Sequence, residues 1–463
     1  MMRTWLLGGV TLLVAACSGG AATSNPGDGG EARDTGVDVA ITADAGQVDG
    51  TGPIAEGGGG DAGGLDAGAK DTGAPHDSGG GGADTGTVAD GGWVIDVPTD
   101  IPQVGDNGAS VMKTPVFQSI SFSGYDQVTD IDAFVASVGA TPYWHDAVAE
   151  YGVGVPTVQP AVHLTATAPK TISDTGIQSW LASEVSAGVG LMAPSANALY
   201  IISYPSTTTV TLDSSNSCTG FGAYHNSASV GGVQVAYAVI PECTYAPSTT
   251  LQTTTDSLSH ELAEATTDPV PIPFASASWQ GTDVAHTFWE VITGGDGELG
   301  DMCSFFSSSF YTPAGFTYDV QRIWSNTAAK QGHDPCQPET PNEVYFTSVP
   351  LMPDTVPIVW DTQTGYMTEG AQIAVGASKT IPVQLYSEGP MAAWTVAAYE
   401  YSPVANAPKY LAFTWDSTTG QNGDTLHLTI TVSGTDATYG GNAFYIESTS
   451  GSLAHTWLGF VGR

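Results

Sequence analysis

Three residues in one short stretch combine side chains that bind metals with side chains that move protons. His260, Glu261 and Glu264 lie among good helix formers, and Pro269 ends the segment. One helical turn separates His260 from Glu264, so both fall on one face, with Glu261 about a quarter turn away. An imidazole and a carboxylate in this arrangement can share a metal ion, and a second carboxylate beside them can accept a proton. The spacing therefore predicts a helix of about three turns. We call the side of this helix that carries His260, Glu261 and Glu264 its chemical face.

This spacing is a variant of the H-E-x-x-H zinc helix, in which two histidines bind the metal and the intervening glutamate is the general base. Glu264 stands in place of the second histidine. Because Zn²⁺ accepts carboxylate oxygen, we expect His260 and Glu264 to be ligands and Glu261 to be the base. The alternative is an ordinary amphipathic helix, with Leu258 and Leu262 toward the core and the acidic residues in solvent.

The charge balance excludes one class of partner. The chain has 463 residues, with 10 Lys plus Arg against 47 Asp plus Glu, and a net charge of −37. It lacks the cationic surface that phosphate neutralisation needs, so we expect no nucleic-acid partner. The acidic composition instead favours solubility and the attraction of cations.

The first residues are typical of an exported protein. Arg3 precedes a mostly apolar run that is too short to span a bilayer permanently. Small residues then stand directly before Cys17, which resembles the lipobox of bacterial lipoproteins, and an ordinary secretory signal is the alternative. We therefore predict a signal peptide over residues 1–17, lipidation of Cys17, and a location at the outer membrane or cell surface. The lipid anchor would be the only contact with the membrane.

The remaining four cysteines predict two disulfides in an oxidising compartment. Proximity in sequence favours Cys218 with Cys243 and Cys303 with Cys336. A structural zinc cluster is the competing interpretation, but the chain contains no C-x-x-C pair.

Composition divides the rest of the chain into three parts. Residues 18–110 are built of Asp-Gly, Asp-Ala-Gly and Asp-Thr-Gly units with few aromatic residues, which predicts a disordered tether. Residues 111–340 mix strand and helix patterns and predict an α+β domain. Residues 341–463 hold about seven short strands, which is typical of an immunoglobulin-like sandwich. We expect this last part to be an all-β accessory domain.

Hydrophobic patterns in the α+β part indicate individual elements. Apolar runs and alternation predict strands at Val116–Phe122, Ala198–Tyr204 and Val233–Ile240. Helical periodicity is present near Asp130–Val138 and Trp180–Val189. A Ser/Thr-rich stretch at 248–255 is expected to lead into the helix of His260 rather than belong to it.

Three stretches of this part also match a known family in order. They are Cys218–His225 with the strand after it, His260–Glu264 continuing to Pro269, and Glu298–Cys303 with the later Val320–Ser325. Together they resemble the exordium-like, or phosphate-induced protein, family of secreted plant proteins and its bacterial relatives. The chain departs from the plant pattern at Asp268, where plant members tend to carry Asn, and it lacks their additional cysteines. The tether and the C-terminal part lie outside the match.

The resemblance implies a secreted protein with a zincin-like helix, and it supplies candidates for the missing metal ligands. Glu298 and Asp301 lie three residues apart, close to Cys303. Asp268 and His225 are secondary candidates. Asp268 could instead cap the helix, and His225 could be a ligand, a transition-state donor or a hydrogen-bonded loop residue.

Two functions remain open on these grounds. The first is a cell-surface zinc-dependent metallopeptidase acting on a peptide or protein substrate. Zn²⁺ held by His260, Glu264 and either Glu298 or Asp301 would activate water, and Glu261 would take its proton. The second is a non-catalytic cell-envelope or matrix binding protein in which the same residues hold a structural ion. A catalytic site keeps one position open for water, whereas a structural site is closed by protein ligands.

Overall fold

The computed structural model describes residues 87–89, 93–95, 97–98, 101–188, 190–273, 276–293, 296–360, 363–403 and 407–463. The predicted signal peptide, Cys17 and most of the predicted tether lie outside the described residues. The described chain is a mixed α/β structure with many sheets and few helices. Its α-helices are α1 Val128–Ser137, α2 Pro142–Val148, α3 Asp174–Ala187, α4 Thr250–Thr267, α5 Thr287–Thr293, α6 Asp301–Ser304 and α7 Asn326–Gln331.

The strands that precede the predicted boundary at residue 340 are mostly short. They are β1 Thr87–Ala89, β2 Trp93–Ile95, β3 Val104–Asp106, β4 Val116–Ser123, β5 Thr157–Val158, β6 Val162–Thr167, β7 Thr171–Ser173, β8 Ala198–Tyr204, β9 Thr209–Leu212, β10 Ser215–Asn216, β11 Tyr224–Val230, β12 Val233–Pro241, β13 Trp279–Thr282, β14 Phe310–Tyr311, β15 Val320–Gln321, β16 Ile323–Trp324 and β17 Cys336–Gln337.

A six-stranded mixed sheet organises this part of the molecule. Its order is β11-β12-β8-β4-β5, with β6 also paired to β4. The β11–β12 pair is antiparallel and the other pairs are parallel. Helices α1, α2 and α4 share one apolar cluster with one face of the sheet, and α3 covers the other face. All of β8 is buried as a result, which explains its continuous apolar sequence.

The elements predicted from apolar patterns are confirmed. The three predicted strands correspond to β4, β8 and β12, and the two predicted helices correspond to α1 and α3. Helix α3 begins earlier than predicted because Ser173 caps it, accepting a hydrogen bond from the Gly176 N–H.

Helix α4 carries the predicted chemical face and also begins earlier than the sequence indicates. Thr249 is its N-cap and forms a capping box with Gln252. The Ser/Thr-rich stretch is thus the first part of the helix, and the expectation that it only leads into α4 is wrong. Threonine has a low helix propensity, so burial of Thr253, Thr254 and Thr255 within the fold must stabilise these turns.

The C-terminal part contains two sheets. Its strands are β18 Phe346–Pro350, β19 Asp354–Trp360, β20 Gln363–Gln372, β21 Ser378–Ser387, β22 Trp394–Tyr401, β23 Leu411–Trp415, β24 Thr419–Gly420, β25 Thr425–Val432, β26 Asn442–Ser450 and β27 Leu453–Gly462. One sheet has the order β18-β21-β25-β23 and the other β19-β20-β27-β26-β22-β24. Apolar residues of both sheets pack into one cluster between them. The described strands exceed the predicted seven because Pro350 and Pro357 obscure the pattern of β18 and β19.

The two parts share a core across the predicted boundary. Trp289 of α5 packs edge to face against both Trp324 and Trp457, the latter on β27. Phe305, next to α6, packs in the same way against Tyr401 and Tyr445 of the larger C-terminal sheet. The C-terminal sheets therefore support the segment that contains α5 and α6.

The packed structure also begins before the predicted end of the tether at residue 110. Val104 is 2% exposed, and its backbone exchanges two hydrogen bonds with the Asn326 side chain, at 2.9 and 2.8 Å. Strand β3 pairs with β13. The tether prediction is therefore wrong for this strand. The sequence did not reveal it because Val104-Gly105-Asp106 has the same composition as the units before it.

Both predicted disulfides are present. Cys218–Cys243 joins the loop before β11 to the end of β12, and Cys303–Cys336 joins α6 to β17. No helix among the described residues is both long enough and apolar enough to cross a membrane.

Candidate metal centre

Three segments bring the predicted site residues together in the interior of the molecule. Helix α4 and its C-cap, strand β11, and the turn leading into α6 supply them. The residues are His225, His260, Glu261, Glu264, Asp268, Glu298 and Asp301. Each of these side chains is at most 1% exposed. The alternative in which the acidic face of α4 lies in solvent is therefore wrong.

One set of potential ligands consists of His260, Glu264 and Asp301. His260 Nε2 lies 2.9 Å from Glu264 Oε2 and 3.8 Å from Asp301 Oδ1. Ligand atoms about 2.0–2.2 Å from a tetrahedral zinc ion are about 3.3–3.6 Å apart. The observed distances bracket this spacing, so small shifts would accommodate an ion among the three side chains.

Gln321 of β15 orients the imidazole of His260. Its Oε1 lies 3.1 Å from His260 Nδ1, while its Nε2 donates to the Gly300 carbonyl at 2.6 Å. The amide orientation is thus fixed, so Nδ1 carries the hydrogen and Nε2 keeps its lone pair for a metal. The sequence gives no independent sign of this role, although Gln321 lies in one of the stretches that carry the family resemblance.

Backbone groups hold Glu264 with one oxygen turned toward His260. Its Oε1 accepts hydrogen bonds from the N–H groups of Gly300 and Asp301, at 2.9 and 3.1 Å. A Cβ atom at Gly300 would lie 2.7 Å from both Glu264 Oε1 and His260 Nδ1. Only glycine permits this close approach, which leaves Oε2 of Glu264 available as a ligand.

A second set of potential ligands consists of His225, Glu261 and Glu264. The Nε2 atom of His225 donates to the backbone carbonyl of Asp268 at 3.0 Å. Its Nδ1 atom lies 3.5 Å from Glu261 Oε2 and 3.8 Å from Glu264 Oε2. His225 therefore lies within 3.8 Å of the same Glu264 oxygen that contacts His260.

Glu298 and Asp268 lie beside these two sets but belong to neither. Glu298 Oε1 is 3.7 Å from His225 Nε2. Asp268 Oδ1 accepts a hydrogen bond from the Ser278 N–H at 2.9 Å. Of the two ligand candidates near α6, the structure brings Asp301 and not Glu298 into contact distance of His260.

The charges at this site strongly perturb one another. Burial raises the pKa of Glu261, and burial together with neighbouring carboxylates raises the pKa of Asp301 well above its usual value. Burial also raises the pKa of Glu298 well above its usual value, and that of Asp268 to about 6. Burial disfavours a charged His260, but the surrounding carboxylates outweigh it and raise its pKa to about 10. A bound cation would reverse these preferences and keep the carboxylates ionised.

Several buried oxygens at this site lack hydrogen bonds. Both carboxylate oxygens of Glu261, of Glu298 and of Asp301 are without a hydrogen-bond partner. Buried polar atoms are satisfied in the great majority of native structures, and exceptions need a physical explanation. A divalent cation supplies one, because it would coordinate these oxygens directly.

Another group of potential ligands lies apart, at the junction of the two parts. It consists of His333, Glu339 and Glu388, which are only partly buried. His333 Nδ1 pairs with Glu388 Oε2 at 2.7 Å. An exposed ion pair of this kind satisfies its own charges and needs no metal.

The chain matches no protein-family model and none of the curated proteins with which it was compared.

Proposed function

We propose that this chain is an exported, non-catalytic cell-envelope or matrix protein that holds a structural zinc ion through His260, Glu264 and Asp301. Burial carries the proposal, because every candidate ligand is at most 1% exposed. A catalytic zinc needs an open position that substrate and water can reach, whereas a structural zinc is enclosed by protein ligands. Asp301 can supply two ligand atoms, since neither of its oxygens has a hydrogen-bond partner.

The chemistry of the donor atoms supports zinc. Calcium and magnesium prefer shells made of oxygen, while a mixture of imidazole nitrogen and carboxylate oxygen suits zinc. The ion would join α4 to the turn before α6, two elements that Cys303–Cys336 and the C-terminal sheets already brace from outside. Export fits both disulfides, which persist in oxidising compartments. Attachment through Cys17 and a tether remains part of this proposal.

A zinc-dependent peptidase is the second candidate, and Glu261 favours it. This residue follows His260 directly, in the spacing of a zincin-like helix, and both of its oxygens are free of hydrogen bonds. A bound zinc would supply an acidified water, and Glu261 would hold the proton taken from it. The resemblance to the exordium-like family supports this candidate, because it includes the same zincin-like helix. Substrate access would require displacement of the chain that now covers the site.

Metal analysis and activity assays on purified full-length protein distinguish the two candidates. We expect the wild type to retain zinc after gel filtration and to hydrolyse no member of a peptide library. His260→Ala should lose this zinc and melt at a lower temperature, because an incomplete shell leaves buried carboxylates unpaired. His163→Ala is the matched control, since His163 pairs with Asp132 at 2.6 Å on an exposed surface.

The opposite results would be equally informative. Peptide hydrolysis that falls by about 10²–10⁴ in Glu261→Gln, with zinc at the His260 set retained, would replace the structural proposal with the peptidase. A wild-type protein that binds no zinc would overturn both candidates.

A further inference from the structure

The two sets of potential ligands inside the molecule share one carboxylate. Glu264 Oε2 lies 2.9 Å from His260 Nε2 and 3.8 Å from His225 Nδ1. Asp301 completes the first set and Glu261 the second. A carboxylate between two such sets is the arrangement of a bridged pair of metal ions, whose members are typically about 3.5–4 Å apart.

We propose that His225, Glu261 and Glu264 form a second divalent-cation site, so that the molecule holds two ions bridged by Glu264. This inference rests on the proposed function, which places the first ion at His260, Glu264 and Asp301. His225 Nδ1 and Glu261 Oε2 are 3.5 Å apart, a separation that fits two atoms that share a zinc ion.

The tautomer of His225 suits this role. Its Nε2–H donates to a backbone carbonyl, which fixes the ring and directs the Nδ1 lone pair toward Glu261 and Glu264. Metal-binding histidines commonly donate their second ring N–H in this way. A hydrogen bond from the second ring nitrogen thus orients His225, as the hydrogen bond from Nδ1 to Gln321 orients His260.

The carboxylates of the site also favour more than one ion. Five buried carboxylates, those of Glu261, Glu264, Asp268, Glu298 and Asp301, lie around two histidines. Glu264 and Asp301 belong to the first set, so a single ion there leaves Glu261 without a cation. A second ion at His225, Glu261 and Glu264 would coordinate this buried carboxylate directly.

Zinc stoichiometry tests this inference directly. Full-length protein, loaded with excess Zn²⁺ and passed through gel filtration, should contain two zinc ions per chain by elemental mass spectrometry. His225→Gln should reduce this value to one, because the glutamine amide can still donate to the Asp268 carbonyl but offers no imidazole nitrogen. His333→Gln is the control for zinc at the surface cluster and should retain two.

Each other result has a definite meaning. One zinc per chain that His225→Gln retains would overturn the second site and leave the first in place. One zinc per chain that His225→Gln removes would overturn the bridged pair and make His225 a ligand of a single ion. Two zinc ions that fall to one in His333→Gln, and not in His225→Gln, would assign the extra ion to the surface. No bound zinc would overturn the proposed function itself.

Cobalt substitution covers the case in which His225→Gln does not fold. Titration of wild-type protein with Co²⁺ should saturate its visible absorption at two equivalents. The electron paramagnetic resonance signal should weaken as the second equivalent binds, because two ions joined by one carboxylate are magnetically coupled. Saturation at one equivalent, or an undiminished signal at two, would contradict the bridged pair.

Discussion

Gln321 shows how a single neutral residue sets the chemistry of the centre. It accepts from Nδ1 of His260 and donates to the Gly300 carbonyl, so it holds the histidine and the turn before α6 in one arrangement. Its own backbone is fixed as well, because its N–H donates to Ser259 Oγ at 2.8 Å. Gln321 therefore directs Nε2 of His260 toward Glu264 and Asp301, where the proposed metal would lie.

We predict that Gln321→Met weakens zinc binding by about 10–100-fold, the usual effect of removing the partner that orients a metal-binding histidine. Methionine has similar length and volume but cannot accept the Nδ1–H. Competition with a chromophoric chelator would measure the affinity. Gln118→Met is the matched control, since Gln118 is also buried and hydrogen-bonded, to Pro160 and Gly190, but lies elsewhere in the sheet. Equal zinc affinities in both variants would show that Gln321 has no orienting role.

Some residues of the centre can be predicted from the sequence and others cannot. His260 and Glu264 follow from helix geometry, because positions i and i+4 share a face. His225 reaches them because the β11–β12 hairpin packs against α4, and this tertiary contact leaves no local sequence signal, so only the family resemblance made His225 a candidate. Burial was also unpredictable, since the acidic face of α4 has the composition of a solvent-exposed surface.

At the scale of elements, strand β3 could not be predicted, because its composition is the same as that of the tether before it. Its Val104 is packed in the main core, and Asn326 bonds both its N–H and its carbonyl. Elements with strong apolar patterns, such as β4 and β8, were predictable because both faces of the sheet are covered. The first turns of α4 and strands β18 to β20 were not, because tertiary packing overrides their weak propensities.

We predict that a chain beginning at Val111 is less stable than one beginning at Val97. The shorter chain loses burial of Val104, about 2 kcal/mol, and leaves the Asn326 amide without its two partners. Urea denaturation should show a lower midpoint for the shorter chain. Identical midpoints would mean that the predicted tether does extend to residue 110.

At the scale of the whole molecule, buried carboxyl groups make the stability of the metal-free protein depend on pH. Burial raises the pKa of Asp268 to about 6, of Glu290 to about 7 and of Asp256 to about 8. These values exceed those of an unfolded chain, so the folded state binds more protons between pH 5 and 8. Its free energy of unfolding therefore falls as the pH rises through this window.

We predict that the melting temperature of chelator-treated protein decreases from pH 5 to pH 8. Zinc-bound protein should show a smaller decrease, because its ligands bind the ion only when deprotonated and affinity grows with pH, while Asp268, Glu290 and Asp256 lie outside the ligand sets. The stabilisation by zinc, measured as the difference between the two melting temperatures, should thus be largest at pH 8. Parallel curves with and without zinc would contradict an ion at His260, Glu264 and Asp301.

The contact between Trp289 and Trp457 has a consequence for the order of events during synthesis. Trp289 belongs to α5, a short distance before the turn that presents Asp301, whereas Trp457 lies on β27, far later in the chain. The packing that Trp457 gives to α5 is complete only after β27 has been made, so we expect the proposed metal centre to reach its final form late in synthesis. A metal bound there would then be selected by what the compartment of final folding supplies, since affinity alone selects poorly among divalent transition metals.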